Sequence, residues 1–234
     1  MVKIVPTPDW FIGKDVIIEV FSLIVLVIFT VIAYRYYKLN KNRNILYLGS
    51  GFGLIAIAQL ATILTKLVLY YDIGPTQQIG EAIITSQILN SVDFFYYAGF
   101  FFHRFLTLLG LYIIYRLPRD KKSIGDYAVV IYFILISSFL SREIFYLFHL
   151  TALFILILIV EKFFLVYKEN RFLNTKILMA AFGLLALSQL IFVLSTIDIL
   201  FVLGNVVELI SYTIFLALII RIWKYGKEKK PYGN

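Results

Sequence analysis

Apolar residues fall into seven long runs separated by short polar connections, and each run is close to the roughly 20 residues that a helix needs to cross hydrocarbon. The runs predict helices at 15–35, 46–70, 91–116, 125–141, 144–166, 175–197 and 204–223. Acids as well as lysines precede the first run and no small-residue cleavage pattern follows it, so it reads as a span and not as a signal peptide. Lysine and arginine mark every second connection. The clusters are Arg35, Lys38, Lys41 and Arg43; Arg116, Arg119, Lys121 and Lys122; Lys162, Lys168, Arg171 and Lys176; and Arg221, Lys224, Lys227, Lys229 and Lys230, which together hold 17 of the 22 cations. Cytoplasmic loops retain such an excess, so the N-terminus is expected outside and the C-terminus in the cytoplasm. Acids follow the opposite pattern, with Asp9, Asp15, Glu19, Asp72, Glu81, Asp93, Glu143, Asp198 and Glu208 on or near the outer face.

Composition agrees with this reading. Of 234 residues 61% are hydrophobic and 15% charged, where soluble domains run near 45–50% and 25%. The expected class is an all-α integral membrane protein of the cell membrane, one seven-helix domain over 1–234 with little chain left for an extramembrane domain. The net charge of +8 follows from topology, so anionic lipid headgroups on the cytoplasmic side are the expected partner and nucleic acid is not. With no cysteine there is no disulfide, thiolate or iron–sulfur chemistry.

The chain also repeats. Displaced by 130 positions, Gly51–Leu60 (GFGLIAIAQL) matches Ala181–Leu190 (AFGLLALSQL) at six of ten places, and Tyr37, Lys38, Asn40, Asn44 and Leu48 match Tyr167, Lys168, Asn170, Asn174 and Leu178. At a displacement of 115, Asn90, Val92, Asp93 and Tyr97 lie over Asn205, Val207, Glu208 and Tyr212. Two three-helix repeats, 15–117 and 144–224, are thus expected on either side of a linker helix at 124–141. A single inserted span makes them parallel, related by an axis near the membrane normal. This 3+1+3 order resembles that of the SWEET sugar transporters and other PQ-loop proteins, a likeness of topology that no motif carries. Those bundles carry prolines within spans, whereas Pro6, Pro8, Pro75, Pro118 and Pro231 all lie outside the spans expected here, which implies a stiffer bundle. The last span offers no lysine for a retinal Schiff base, which disfavours a microbial rhodopsin.

Ionisable and amide side chains inside spans are costly, and they are the site candidates. Asn90 and Asn205 are read as N-caps, with Asp93 and Glu208 reaching back as in a capping box. Gln59 and Gln189 occupy equivalent mid-depth positions and suit hydrogen bonding across the pseudo-twofold axis. Gly49, Gly51 and Gly53 suit close helix packing, and Gly53 recurs as Gly183. His103 and Arg104 sit in FFYYAGFFFHRF, eight of whose twelve residues are aromatic. The other histidine, His149, falls at similar depth on a parallel helix, so the pair are candidate axial ligands for a b-type haem. The competing reading is a buried polar network of Glu19, Arg104, Gln59 and Gln189 with the imidazoles, in which Glu19 pairs with Arg104. Lys66 is expected to snorkel to the outer interface, and Glu161 and Lys162 to offset one another at the inner one.

No zinc-protease, nucleophile-elbow or phosphate-loop pattern occurs, and two histidines without cysteine give little basis for a metal site. The first functional expectation is therefore a non-catalytic subunit that anchors or scaffolds a larger membrane complex, in contact with other membrane or outer-face subunits, in a redox version holding haem b. A small-solute transporter using the interface near Gln59 and Gln189, and a seven-helix sensor, are the alternatives.

Overall fold

A computed structural model of the chain describes residues 8–71, 84–116, 124–141, 144–195 and 197–228. After a 3-10 turn at Asp9–Phe11 come α1 (Lys14–Asn40), α2 (Arg43–Tyr71), α3 (Ile84–Tyr115), α4 (Ile124–Leu140), α5 (Phe145–Asn170), α6 (Leu173–Val193) and α7 (Asp198–Glu228), with no strand among the described residues. Six of these helices are long and apolar enough to cross a membrane. The seventh, α4, has 17 residues and extends about 25 Å. Large apolar side chains face outward all along α1, among them Ile17, Ile24, Val27 and Val31, a surface suited to lipid and a liability in water.

Several helices outrun their apolar segments. The third begins at Ile84, not near 91, and the seventh at Asp198, not near 204. Hydropathy marks the part of a helix that suits hydrocarbon, whereas backbone hydrogen bonding continues through polar residues until something breaks it. An acid in the first turn, Asp198, also suits a helix start. Asn205 and Glu208 therefore lie two turns inside α7 and do not cap it; the Asn205 amide donates back to the Phe201 carbonyl at 2.9 Å. Asn90 likewise falls inside α3 and is not its N-cap, while the side chains of Asn90 and Asp93 lie outside the described residues.

Two tight turns link α1 to α2 and α5 to α6. Each closes on a residue in the left-handed region, Lys41 (φ 53°) and Arg171 (φ 54°), whose N–H donates to the carbonyl of Tyr37 and Tyr167 respectively, both at 2.8 Å. Contacts near the far ends set the remaining directions. Tyr36 Oη donates to the Ile222 carbonyl and Lys162 Nζ to the Tyr115 carbonyl, so α1, α3, α5 and α7 run one way and α2 and α6 the other. Lys162 is thus engaged with the end of α3 in addition to lying beside Glu161. Around the bundle, α1 packs on α2, α2 on α3, α3 on α5, α5 on α6, α6 on α7 and α7 on α1, a closed ring of six, with α4 outside it against α3 and α5.

Between α2 and α3 the backbones nearly touch. A Cβ added at Gly110 would lie 2.7 Å from the Gly51 carbonyl oxygen, and one added at Gly51 equally close to that of Gly110, so both positions need glycine. Gly183, the repeat counterpart of Gly53, has open space where its Cβ would be, so the close packing expected of it is not found. In the middle of the ring Phe52, Phe182 and Phe215 are fully buried. Phe52 stacks on Phe182 at 5.9 Å between centroids, Phe215 meets both edge-on at 5.2 and 5.1 Å, and Phe29 and Phe163 close the sides. Edge and offset contacts of this kind are favoured by the ring quadrupoles.

Candidate functional site

On the Asp15 side of this phenylalanine plug, the ring lines a cavity of about 170 Å³. Helical spacing explains its lining. On α2 the facing residues Ile55, Gln59, Thr62 and Lys66 are three or four apart; on α5 they are His149, Ala152 and Leu156; on α6, Leu185, Gln189 and Phe192; on α7, Phe201, Asn205, Glu208 and Tyr212. Residues at this spacing share one face of a helix. Glu19 enters from α1, and Phe100, His103, Arg104, Thr107 and Leu111 from α3.

Its most tightly bound group is Lys66. Only 5% exposed, the lysine donates to Asp15 Oδ2 and Glu19 Oε1, both at 2.6 Å. It does not snorkel: two carboxylates from α1 hold it inside. Gly13 positions the first of them. In the left-handed region at φ 82°, Gly13 turns the chain into α1, and its N–H donates to the other Asp15 oxygen at 3.0 Å. Because Lys66 is the cation on Glu19, the expected Glu19–Arg104 pair does not form. Glu19 Oε2 and Thr107 Oγ1 are buried without a protein hydrogen-bond partner among the described residues, an arrangement that costs about 1–3 kcal/mol per group unless something else satisfies it.

The two glutamines do not meet across the ring. Gln189 Oε1 lies 2.7 Å from His149 Nδ1, whereas Gln59 lines the cavity with Tyr212 and Glu208 of α7. His103 Nδ1 lies 3.2 Å from the Ala58 carbonyl. Both imidazoles line the same cavity, and the Phe148 ring packs against each, 5.7 Å from His103 and 5.0 Å from His149 between centroids. The cavity thus gathers His103, His149, Glu19, Arg104, Gln59, Gln189, Asn205 and Glu208 from the sequence candidates. Lys66, expected at the outer interface, lines it too, and Tyr212 and Thr107 join them without having been site candidates. One signal was available for the lysine: Asp15 lies 26 residues before Lys41 and Lys66 lies 25 after it, so in a helical hairpin turning at Lys41 they face each other at equal depth.

A second cavity of about 230 Å³ lies beyond the plug, towards the Lys41 and Arg171 turns, lined by Phe29, Tyr36, Leu48, Asn174, Ile219 and other residues. Along α2 the order is Leu48 in this cavity, Phe52 in the plug and Ile55 in the first cavity. Along α7 it is Ile219, Phe215 and Tyr212.

The chain matches no family model, no curated protein and no solved structure.

Proposed function

We propose that this chain is a seven-span protein of the cell membrane that binds a small water-soluble solute in the cavity between two parallel three-helix repeats and passes it across the bilayer, with the N-terminus outside and the C-terminus in the cytoplasm. The observation that carries the reading is the pair of cavities on either side of the phenylalanine plug, the first of them lined by acids, bases and amides. A scaffold gains nothing from burying such groups around open space, because each charge at mid-membrane costs roughly 2.5–3.5 kcal/mol on insertion scales. Solute sites in pseudo-symmetric transporters lie near the midplane, between the repeats. Repeat-equivalent positions line the cavity in pairs here: 19 and 149, 55 and 185, 59 and 189, 62 and 192. The same displacement relates the left-handed turns at Lys41 and Arg171, and exchanging the repeats exchanges the α1–α7 contact with α5–α3.

The test is a screen of the detergent-purified protein for thermal stabilisation by sugars, amino acids, amines and carboxylic acids, followed by uptake of any stabilising solute into proteoliposomes. Stabilisation together with saturable uptake supports the reading; stabilisation by none of them at millimolar concentration, or binding without uptake, refutes it. Cysteine labelling at 38–44 from the inside and at 72–89 from the outside checks the orientation. Haem held by His103 and His149 in an anchoring subunit has one observation in its favour, the cavity that both imidazoles line. A Soret band in the visible spectrum of the purified protein would replace the solute reading with that one.

A further inference from the structure

Charge is unevenly distributed in the first cavity. Glu19 and Glu208 bring two carboxylates into its lining, with Asp15 beside it; Lys66 touches Asp15 and Glu19, and Glu208 has no cation at ion-pairing distance among the described residues. Glu19 Oε2 is an acceptor without a protein donor among the described residues. Buried carboxylates in excess of cations call for a positive partner. Arg104 stands elsewhere. It follows His103, whose ring meets the Ala58 carbonyl, at about the level of Glu208, which lies as far along α7 from Phe215 as Gln59 does along α2 from Phe52; α3 stands opposite α7 in the ring, and Glu19 lies about one turn further out. A guanidinium has five N–H donors, enough to share between its own protein contacts and a carboxylate. Between the two poles the walls are aromatic, with Phe100, Phe148 and Phe192.

Resting on the solute reading above, we propose that the cavity recognises a small zwitterion with an apolar body, of which a neutral amino acid is the simplest case: its ammonium donates to Glu19 Oε2 and Glu208, its carboxylate accepts from Arg104, and its side chain lies against the phenylalanine walls. A singly charged solute satisfies one pole and leaves the other uncompensated. The 170 Å³ is room for about six waters at their share of roughly 30 Å³ of liquid volume each, which limits the solute to a small one.

The experiment compares three matched probes on the wild-type protein in detergent by isothermal titration: leucine, isopentylamine, which lacks the carboxylate, and isocaproate, which lacks the ammonium. Leucine is expected to bind at least about tenfold more tightly than either, the equivalent of one charge-assisted contact. Glu208→Gln should weaken leucine about tenfold and leave isocaproate unchanged; Arg104→Gln should weaken leucine similarly and leave isopentylamine unchanged. The wild-type comparison needs no variant, so a misfolded substitution does not blunt the test. Equal binding of leucine and isopentylamine would show a cation site, equal binding of leucine and isocaproate an anion site, and either result overturns the proposal, as does failure of all three to bind. A sugar or other uncharged solute that binds and is taken up would overturn it while leaving the transport reading intact.

Discussion

Replacing Lys66 with methionine removes the cation shared by Asp15 and Glu19 while keeping the length of the side chain. Both ion pairs are 2.6 Å long, Asp15 is 0% exposed, Lys66 5% and the Glu19 side chain 14%, so Asp15 cannot turn to water without the helices separating and Glu19 can do so only in part. Removing one partner from a buried ion pair costs about 3–5 kcal/mol, because the remaining charge is stranded. At the 2–4 °C per kcal/mol of soluble chains of this size, the melting temperature in mild detergent should fall by roughly 6–20 °C. The cost lies in the stranded charge and not in the lost contact. Adding Asp15→Asn and Glu19→Gln to Lys66→Met should therefore recover most of the loss, since a buried pair replaced whole is often close to neutral. Circular dichroism melts of the three proteins measure this directly. A Lys66→Met protein that melts with the wild type, or a triple variant no more stable than the single one, would refute the electrostatic account of this end of the bundle.

Other predictions can be checked on the same preparation. Glu19→Gln and Arg104→Gln should be additive in stability to within about 0.5 kcal/mol, because they share no ion pair, whereas Glu19→Gln with Lys66→Met should not be. Gly110→Ala should destabilise by about 1–3 kcal/mol through overpacking against α2, while Gly183→Ala, with open space at its Cβ, should be neutral or better; thermal melts distinguish them. Phe52→Ala should cost about 3–5 kcal/mol through the cavity it opens in the plug, and should raise passive leak of small solutes through proteoliposomes. Lys41→Gly and Arg171→Gly should each stabilise by up to about 1–2 kcal/mol, by relieving an L-residue of left-handed backbone, a gain that chemical denaturation would register.

Much of the site was visible one helix at a time. Gln59, Gln189, His103, Arg104, His149 and Glu208 stand out because polar groups in an apolar run are individually improbable, and that improbability belongs to the sequence. Pairing is different: it depends on which faces meet. Glu19 and Arg104 lie at compatible depths on parallel helices, yet the ring places α1 beside α2 and α7 and not beside α3, and the partner of Glu19 becomes Lys66. The two glutamines are equivalent in sequence but face different partners: Gln189 meets His149 on α5 of its own repeat, whereas Gln59 on α2 faces Tyr212 on α7 of the other.

Helix number, apolar faces and the alternation of charge were determined by the sequence alone, because each is a local consequence of hydrocarbon refusing unpaired polar groups and unpartnered charge. So were the two matching hairpins, since the same residues at the same spacing make the same turns at Lys41 and Arg171. Helix ends were not, because backbone hydrogen bonding runs past the apolar stretch that betrays a span. Nor was the cavity. Open space among six helices arises where side chains on different helices fail to meet, as around Glu19 and Thr107, and that depends on how the helices pack around the ring, which the closest crossings, such as Gly51 on Gly110, help to set.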